Sequence, residues 1–254
     1  MSKWALVTGA TVGIGESFTR LLAEKKYNIV LVARDEQRLH ERALALRKNY
    51  GVQTEIVVAD LSTDSGTSRV ESYLSNHEIE VLINNAGFGI NKAFTVSQLS
   101  DEEALLDVLV RAPMRLMHVA LPKMKSAGRG VVINVSSVAS FIAGGTYSAS
   151  KSYLTVLSES LHTELIGTGV TVSALCPGFT RTEFHQRGRM KMGQLPAFMW
   201  LNSDDLVAKS WKDALGGKPI SIPGWQYKLL VGVINLMPRN AVRKIGMGLR
   251  KKQR

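Results

Sequence analysis

The 254-residue sequence contains one cysteine, Cys176, so no internal disulfide can form, which fits a reducing compartment. No stretch reaches the ~18 apolar residues that suggest a membrane span. No succession of charged, apolar and small residues precedes the strand pattern beginning at Trp4, so a secretory leader is not expected. The five histidines, His40, His77, His118, His162 and His185, show no metal-ligand spacing, and no metal is expected. Acidic residues stop at Asp213, while nine Lys and Arg follow it. The net charge of +11 therefore leaves only +2 for residues 1–213. Basicity belongs to the C-terminal segment, and since no nucleic-acid-binding module accompanies it, nucleic acid is not an expected partner. The expected location is the cytoplasm, with peripheral attachment to a membrane as the alternative.

What is present is an ordinary globular composition, 45 % apolar and 21 % charged, at a length suited to one core. Short β-rich runs alternate with helical patterns. Strands are expected at Trp4–Val7, Asn28–Ala33, Glu55–Ala59, Glu80–Asn84, Gly130–Val135, Val170–Leu175 and Pro219–Ile222. Helical periodicity covers roughly 35–50, 64–76, 102–125 and 147–166. Near-continuous apolar strands separated by helices predict an α/β fold, a doubly wound parallel sheet of about seven strands with helices on both faces. Ligands of such sheets bind beyond the carboxyl ends of the strands, where every motif discussed below falls.

Thr8-Gly-Ala-Thr-Val-Gly-Ile-Gly15 joins the first strand to a helix. Gly9, Gly13 and Gly15 permit a tight turn, and the loop with Thr11 and Ile14 brings backbone to a pyrophosphate at the positive helix end. Strand 2 ends in Ala33-Arg34: no acidic side chain stands where one would hold a ribose 2′-hydroxyl, and Arg34 suits a 2′-phosphate. NADP(H) is the expected cofactor; Asp35, one residue on, is the feature that would favour NAD(H). Asp60 and Leu61 follow strand 3 and are placed at the adenine. Asn84-Asn85-Ala86-Gly87 follows strand 4, offering amides and a small residue for close contact.

Strand 5 runs into Ser136-Ser137, and Tyr147-Ser-Ala-Ser-Lys151 begins ten residues after Ser137. Tyr147 and Lys151, at i and i+4, share one helix face. An ammonium beside a phenol favours the phenolate; moving a pKa from ~10 to about 7 takes roughly 4 kcal/mol. Tyr147 then suits proton exchange with a forming alkoxide, and Ser137 suits orienting the substrate oxygen.

In this order and at these sheet positions, Thr-Gly-x-x-x-Gly-x-Gly, Asn-Asn-Ala-Gly, Ser137, Tyr147-x-x-x-Lys151 and Pro177-Gly178 resemble the short-chain dehydrogenase/reductase superfamily over about residues 3–223. The resemblance implies a Rossmann-type domain in which Tyr147 is the acid/base, Lys151 holds the nicotinamide ribose, and Ser137 polarises a carbonyl. It also implies that Pro177, Gly178, Thr180 and Thr182 border the nicotinamide carboxamide and phosphates. Leu175–Phe184 with Ile222-Pro-Gly-Trp225 is similar to a bacterial ketone-reductase-like branch. The implied activity is reversible reduction of a hydrophobic ketone or aldehyde, the alternatives being 3-oxoacyl reduction or a weakly catalytic NADP-binding regulatory protein.

The sequence departs from the family twice. Thirteen residues before Pro122 stands Leu109, where members usually carry an Asn that holds a relay water. The Ser137–Tyr147 interval is also short, leaving Ser136 and Ser140 as substitutes for Ser137.

By the resemblance, residues 1–224 form the catalytic domain, including a substrate lid over about 180–215. Met190, Met192, Leu195, Phe198, Met199, Trp200 and Leu201 supply either its apolar wall or ordinary packing. Residues 225–254 read as a basic, apolar extension: thirteen apolar-rich residues, Trp225–Met237, precede a cationic stretch that suits an anionic membrane surface or a solvated tail. The helices near 102–125 and 147–166 resemble family dimer surfaces, implying a homodimer or homotetramer.

Overall fold

The computed structural model describes residues 3–182 and 196–244. Seven parallel strands form one sheet: β1 (Trp4–Thr8), β2 (Asn28–Ala33), β3 (Thr54–Val58), β4 (Val81–Asn84), β5 (Gly130–Val135), β6 (Val170–Leu175) and β7 (Ile220–Ser221). Their order is β3-β2-β1-β4-β5-β6-β7, so the chain reverses its direction of travel between β1 and β4. That switch point opens a crevice at the carboxyl ends of the strands. The doubly wound α/β fold expected from the sequence is the observed one, with strand ends moved by a residue or two.

The sheet forms because its strands are apolar on both sides. Leu6 of β1 enters one buried layer, while its neighbours Ala5 and Val7 enter the other. Val30 and Val32 against Ile29 and Leu31 repeat this alternation in β2. One layer is closed by α1 (Gly13–Glu24), α2 (Glu36–Tyr50) and α7 (Ser203–Leu215), through Phe18, Leu22, Leu39, Leu206 and Trp211. The other is closed by α3 (Asp64–Asn76), α4 (Leu99–Leu106), α5 (Ala112–Ser126) and α6 (Thr146–Glu164), through Val70, Leu105, Leu116 and Leu154. Arg115 ties α5 to α3 by ion pairs with Asp64 and Glu71.

Three features appear only in the folded chain. The helix expected over 102–125 is interrupted by a π-helical turn, Asp107–Arg111, between α4 and α5. Its widened backbone leaves Leu109 buried beside the crevice. Residues 203–215 form α7, which buries Leu206, Val207 and Trp211 in the core, and Ser203 Oγ accepts from Ser17 Oγ at 2.9 Å. Residues 225–236 form α8 (Trp225–Leu236), whose inner face, Tyr227, Val231 and Ile234, is buried against the body. Met190, Met192 and Leu195 lie outside the described residues. Among the described residues, no helix is long and apolar enough to cross a membrane.

Candidate active site

The β1–α1 turn is built by backbone conformations that favour glycine. Gly9 and Gly13 adopt φ +64° and +58°, in the left-handed region. Gly15 does not line the crevice: a Cβ there would collide with the Gly9 carbonyl, so its role is to let α1 sit against the turn. Asn85 braces the same turn, its Nδ2 donating to Thr8 O at 2.9 Å and Gly9 O at 3.1 Å. Thr8 Oγ1 in turn accepts the amides of Asn85 and Ala86, at 2.9 and 3.0 Å. Val12, the N-cap of α1, supplies no side-chain acceptor to the first helical turn. An uncapped helix N-terminus facing a crevice is an anion site.

The crevice has a volume of about 1290 Å³. That exceeds the roughly 300–1,000 Å³ typical of pockets for drug-sized ligands and leaves room for a dinucleotide with a small substrate. Every cofactor and catalytic residue expected from the sequence, Gly15 excepted, borders it. At the far end Arg34 extends into solvent, its guanidinium 3.9 Å from Asp60 Oδ2. Arg38, one helical turn along, also lines the crevice and was not singled out by sequence; its spacing of four from Arg34 is the signal that could have found it. Asp35 caps α2 by accepting the Arg38 amide at 3.0 Å and also lines the crevice beside Arg34. Burial works to raise the Asp60 pKa, but the Ser62 amide and hydroxyl, with Arg34, hold it below the usual carboxylate value.

At the other end, the short Ser137–Tyr147 interval is spanned by a 3-10 turn, Val138–Phe141, and Gly145 at φ +84°. Even so, Ser137 and Tyr147 line the same part of the crevice, near enough for the serine hydroxyl to act on the phenol by lowering its pKa, while Ser137 Oγ accepts the Ala139 amide at 3.1 Å. Ser136 does not substitute for it, because its hydroxyl turns into the core to donate to Lys151 O at 2.9 Å. Lys151 Nζ donates to Val135 O at 2.7 Å and lies 5.7 Å from the Tyr147 ring centre. Burial dominates both groups. It raises the phenol to about 12 against the lowering hydrogen bond from Ser137, and it lowers the ammonium to about 8. The lowering expected of Tyr147 rested on Lys151 together with an oxidised nicotinamide; in the chain by itself the buried phenol loses more by desolvation than its polar neighbours return. Leu109 Cδ2 packs on Gly87, whose outward direction also faces Lys151 Nζ, so an apolar side chain occupies the approach to the lysine.

Two distant segments complete this end. Phe179 and Arg181 bond to Leu201: Leu201 N donates to Phe179 O at 2.8 Å and Arg181 N donates to Leu201 O at 3.1 Å. Thr182 touches Gly13, joining this segment to the glycine turn. From α8, the Tyr227 ring fills the space beside Gly178, where a Cβ would collide with it. Its hydroxyl accepts from Phe179 N at 2.9 Å and donates to Met199 O at 2.5 Å. Tyr227, Leu230 and Ile234 therefore wall the crevice from a helix that composition alone sets apart. No local pattern marks them; only their packing does.

A family profile described as short chain dehydrogenase matches residues 3–192. The chain belongs to this family. It is an oxidoreductase of the kind that uses NAD(P)(H), and the uncapped α1 terminus and glycine turn fit that cofactor. Among similar solved structures is a short-chain dehydrogenase from Sphingobium yanoikuyae in complex with NADPH, 31 % identical at TM-score 0.84, covering 92 % of this chain and 93 % of that one. Another is the bulky-bulky ketone specific alcohol dehydrogenase from Comamonas testosteroni, 28 % identical at TM-score 0.79, covering 93 % and 95 %. Among curated proteins, the very-long-chain 3-oxoacyl-CoA reductase of Mus musculus is 28 % identical over 100 % of this chain and 81 % of its own length.

Proposed function

We propose that this family member is an NADPH-preferring reductase of hydrophobic ketones or aldehydes, reversible with the corresponding alcohols. The observation that carries the reading is that Ser137, Tyr147 and Lys151 line the apolar end of the same crevice that the α1 terminus and Arg34 border. Gly9, Thr11, Gly13 and Ile14 would hold the pyrophosphate, Arg34 and Arg38 the 2′-phosphate, and Asp60 and Leu61 the adenine. Asn85, Ala86 and Gly87, with Pro177, Gly178, Thr180 and Thr182, would border the nicotinamide half, and Lys151 its ribose. When bound, the dinucleotide supplies the hydride for carbonyl reduction and accepts it in the reverse direction. Ser137 and Tyr147 hold the carbonyl oxygen between two hydroxyl groups, and the Tyr147 phenol gives its proton to the oxygen as negative charge develops there. Such general-acid transfer contributes about 10²–10⁴-fold. Ile90, Ile142, Met199, Leu230 and Ile234 make the crevice wall apolar, which favours hydrophobic substrates over sugars.

A 3-oxoacyl thioester is the second reading, favoured by the likeness to the mouse reductase over 100 % of this chain and 81 % of that protein, and by the apolar side chains that α8 adds to the wall. A weakly catalytic NADP-binding role is the third, motivated by Leu109 beside Lys151. Exposed Leu106, Met114, Tyr153 and Val156, all on or beside α4–α6, support assembly as a homodimer or homotetramer. The setting proposed is cytoplasmic.

Fluorescence titration with NADPH and NADH, followed by NADPH oxidation over bulky ketones, aldehydes and 3-oxoacyl thioesters, tests these readings. NADPH preference with turnover that depends on Tyr147 supports the main proposal, and the best substrate chooses between the first two. Tight NADPH binding without turnover selects the third; binding of neither cofactor sinks all three.

A further inference from the structure

The helix α8 is apolar on two sides. Tyr227, Val231 and Ile234 face the body. Trp225, Leu229, Val233 and Leu236 recur at helical spacing on the other side and stand 72 %, 63 %, 48 % and 89 % exposed. Phe198, also exposed, adjoins the start of this stripe, since its carbonyl accepts from Gln226 Nε2 at 3.0 Å. Soluble surfaces rarely leave such residues contiguous without a partner. Along the chain the charge here is of one sign: Lys228 on α8 and Arg239, Arg243 and Lys244 just after it are exposed, and the sequence beyond Asp213 holds nine basic residues and no acidic one.

We propose that the outer face of α8 docks on an anionic phospholipid surface, and that the crevice it walls on its inner side receives substrate from that surface. The second clause rests on the reductase reading; the first does not. Trp and Leu on one side of a short helix, bordered by lysine and arginine, is the composition of a helix lying in the bilayer interface, with apolar side chains among the acyl chains and cations among the phosphates. Twelve residues at 1.5 Å each cannot span a bilayer, so the helix lies flat. A second copy of the chain is the weaker occupant, because a two-fold pairing of this face sets one cationic segment against another. Leu230 and Ile234 follow the stripe around the same helix into the crevice, so a ketone or acyl chain leaving the lipid meets apolar side chains along its path.

The test is co-sedimentation of the full chain with phosphatidylcholine vesicles and with vesicles that also contain phosphatidylglycerol, at low and high salt. The comparison protein carries Leu229→Asp and Leu236→Asp, two exposed positions outside the crevice. The chain is expected to sediment with the phosphatidylglycerol vesicles, and its affinity to fall about tenfold or more in the variant and on raising salt. NADPH affinity and turnover of a small water-soluble ketone remain unchanged in the variant, whereas turnover of a long-chain ketone carried in the vesicles falls. No sedimentation of the parent, or equal sedimentation of parent and variant, overturns the proposal. So does a dimer that the variant dissociates while neither protein binds vesicles, which gives the face to a second copy. Vesicle binding without turnover of any carbonyl leaves the surface standing and removes the reductase reading.

Discussion

The two ends of the crevice are built in different ways. The cofactor end is made largely by short stretches at strand termini. Gly9 and Gly13 turn the backbone, Asn85 and Thr8 lock it, and Asp35 caps the helix that carries Arg38. The chemical end is assembled from segments far apart in the chain: Ser137, Tyr147 and Lys151, the 177–182 segment, Met199 and Tyr227. Backbone geometry fixes the first, whereas burial and packing set the properties of the second. At the cofactor end charge acts between exposed neighbours, as Arg34 does on Asp60, whereas at the chemical end exclusion of water governs Tyr147 and Lys151.

The sharpest contrast comes from Tyr147→Phe. Turnover should fall about 10²–10⁴-fold while NADPH affinity stays within about threefold, since the ring is kept and only the proton donor is lost. Equal losses of binding and turnover would break the division between the two ends. Next in size is the pair Arg34→Ala and Arg38→Ala, expected to weaken NADPH by about 10–100-fold and NADH hardly at all, because only the 2′-phosphate loses charged hydrogen bonds. Equal weakening of both dinucleotides would place these arginines elsewhere in recognition.

Lys151→Met tests how burial acts. The Lys151 ammonium is lowered to about 8 from an ordinary 10.5, so at neutral pH its charge costs the folded chain roughly 3 kcal/mol. Between these values the unfolded chain binds more protons than the folded one, so the lysine's contribution to stability improves as pH rises from about 8 and levels off above about 10.5. Thermal melts should show the variant no less stable than the parent at pH 7, with any advantage shrinking toward pH 10. A variant that melts lower at pH 7, with a gap independent of pH, would show that the bond to Val135 O outweighs desolvation. The smallest effect is expected from Leu109→Asn. Burying an amide where Leu109 packs on Gly87 should lower stability by roughly 1–3 kcal/mol, while turnover per folded molecule does not fall. A large loss of turnover would mean that the apolar approach to Lys151 is itself required.

Much of this was legible before any coordinates. The alternation of apolar runs and helical patterns is a local consequence of strands buried on both faces, so all seven strands and their parallel arrangement could be read. The glycine turn, the Tyr147–Lys151 spacing and Arg34 could be read for the same reason: each depends on residues close in sequence. Gly15 shows the limit, because the motif marks the residue, but only its approach to Gly9 O and Asn85 shows that it packs rather than lines the crevice.

What the sequence by itself determined is therefore the sheet, its parallel strands and the identities of the groups at its edge, while the strand order and its switch point came with the fold. Tertiary structure alone decided that the helix around Leu109 opens into a π turn, and that residues 203–215 bury one helix face in the core. It also decided that burial, and not the neighbouring ammonium, governs Tyr147, and that α8 walls the crevice through Tyr227, Leu230 and Ile234. The physical reason is one of range. Backbone preference and hydrophobic periodicity act over a few residues and leave a trace in sequence, whereas desolvation and packing depend on which distant side chains exclude water from a group.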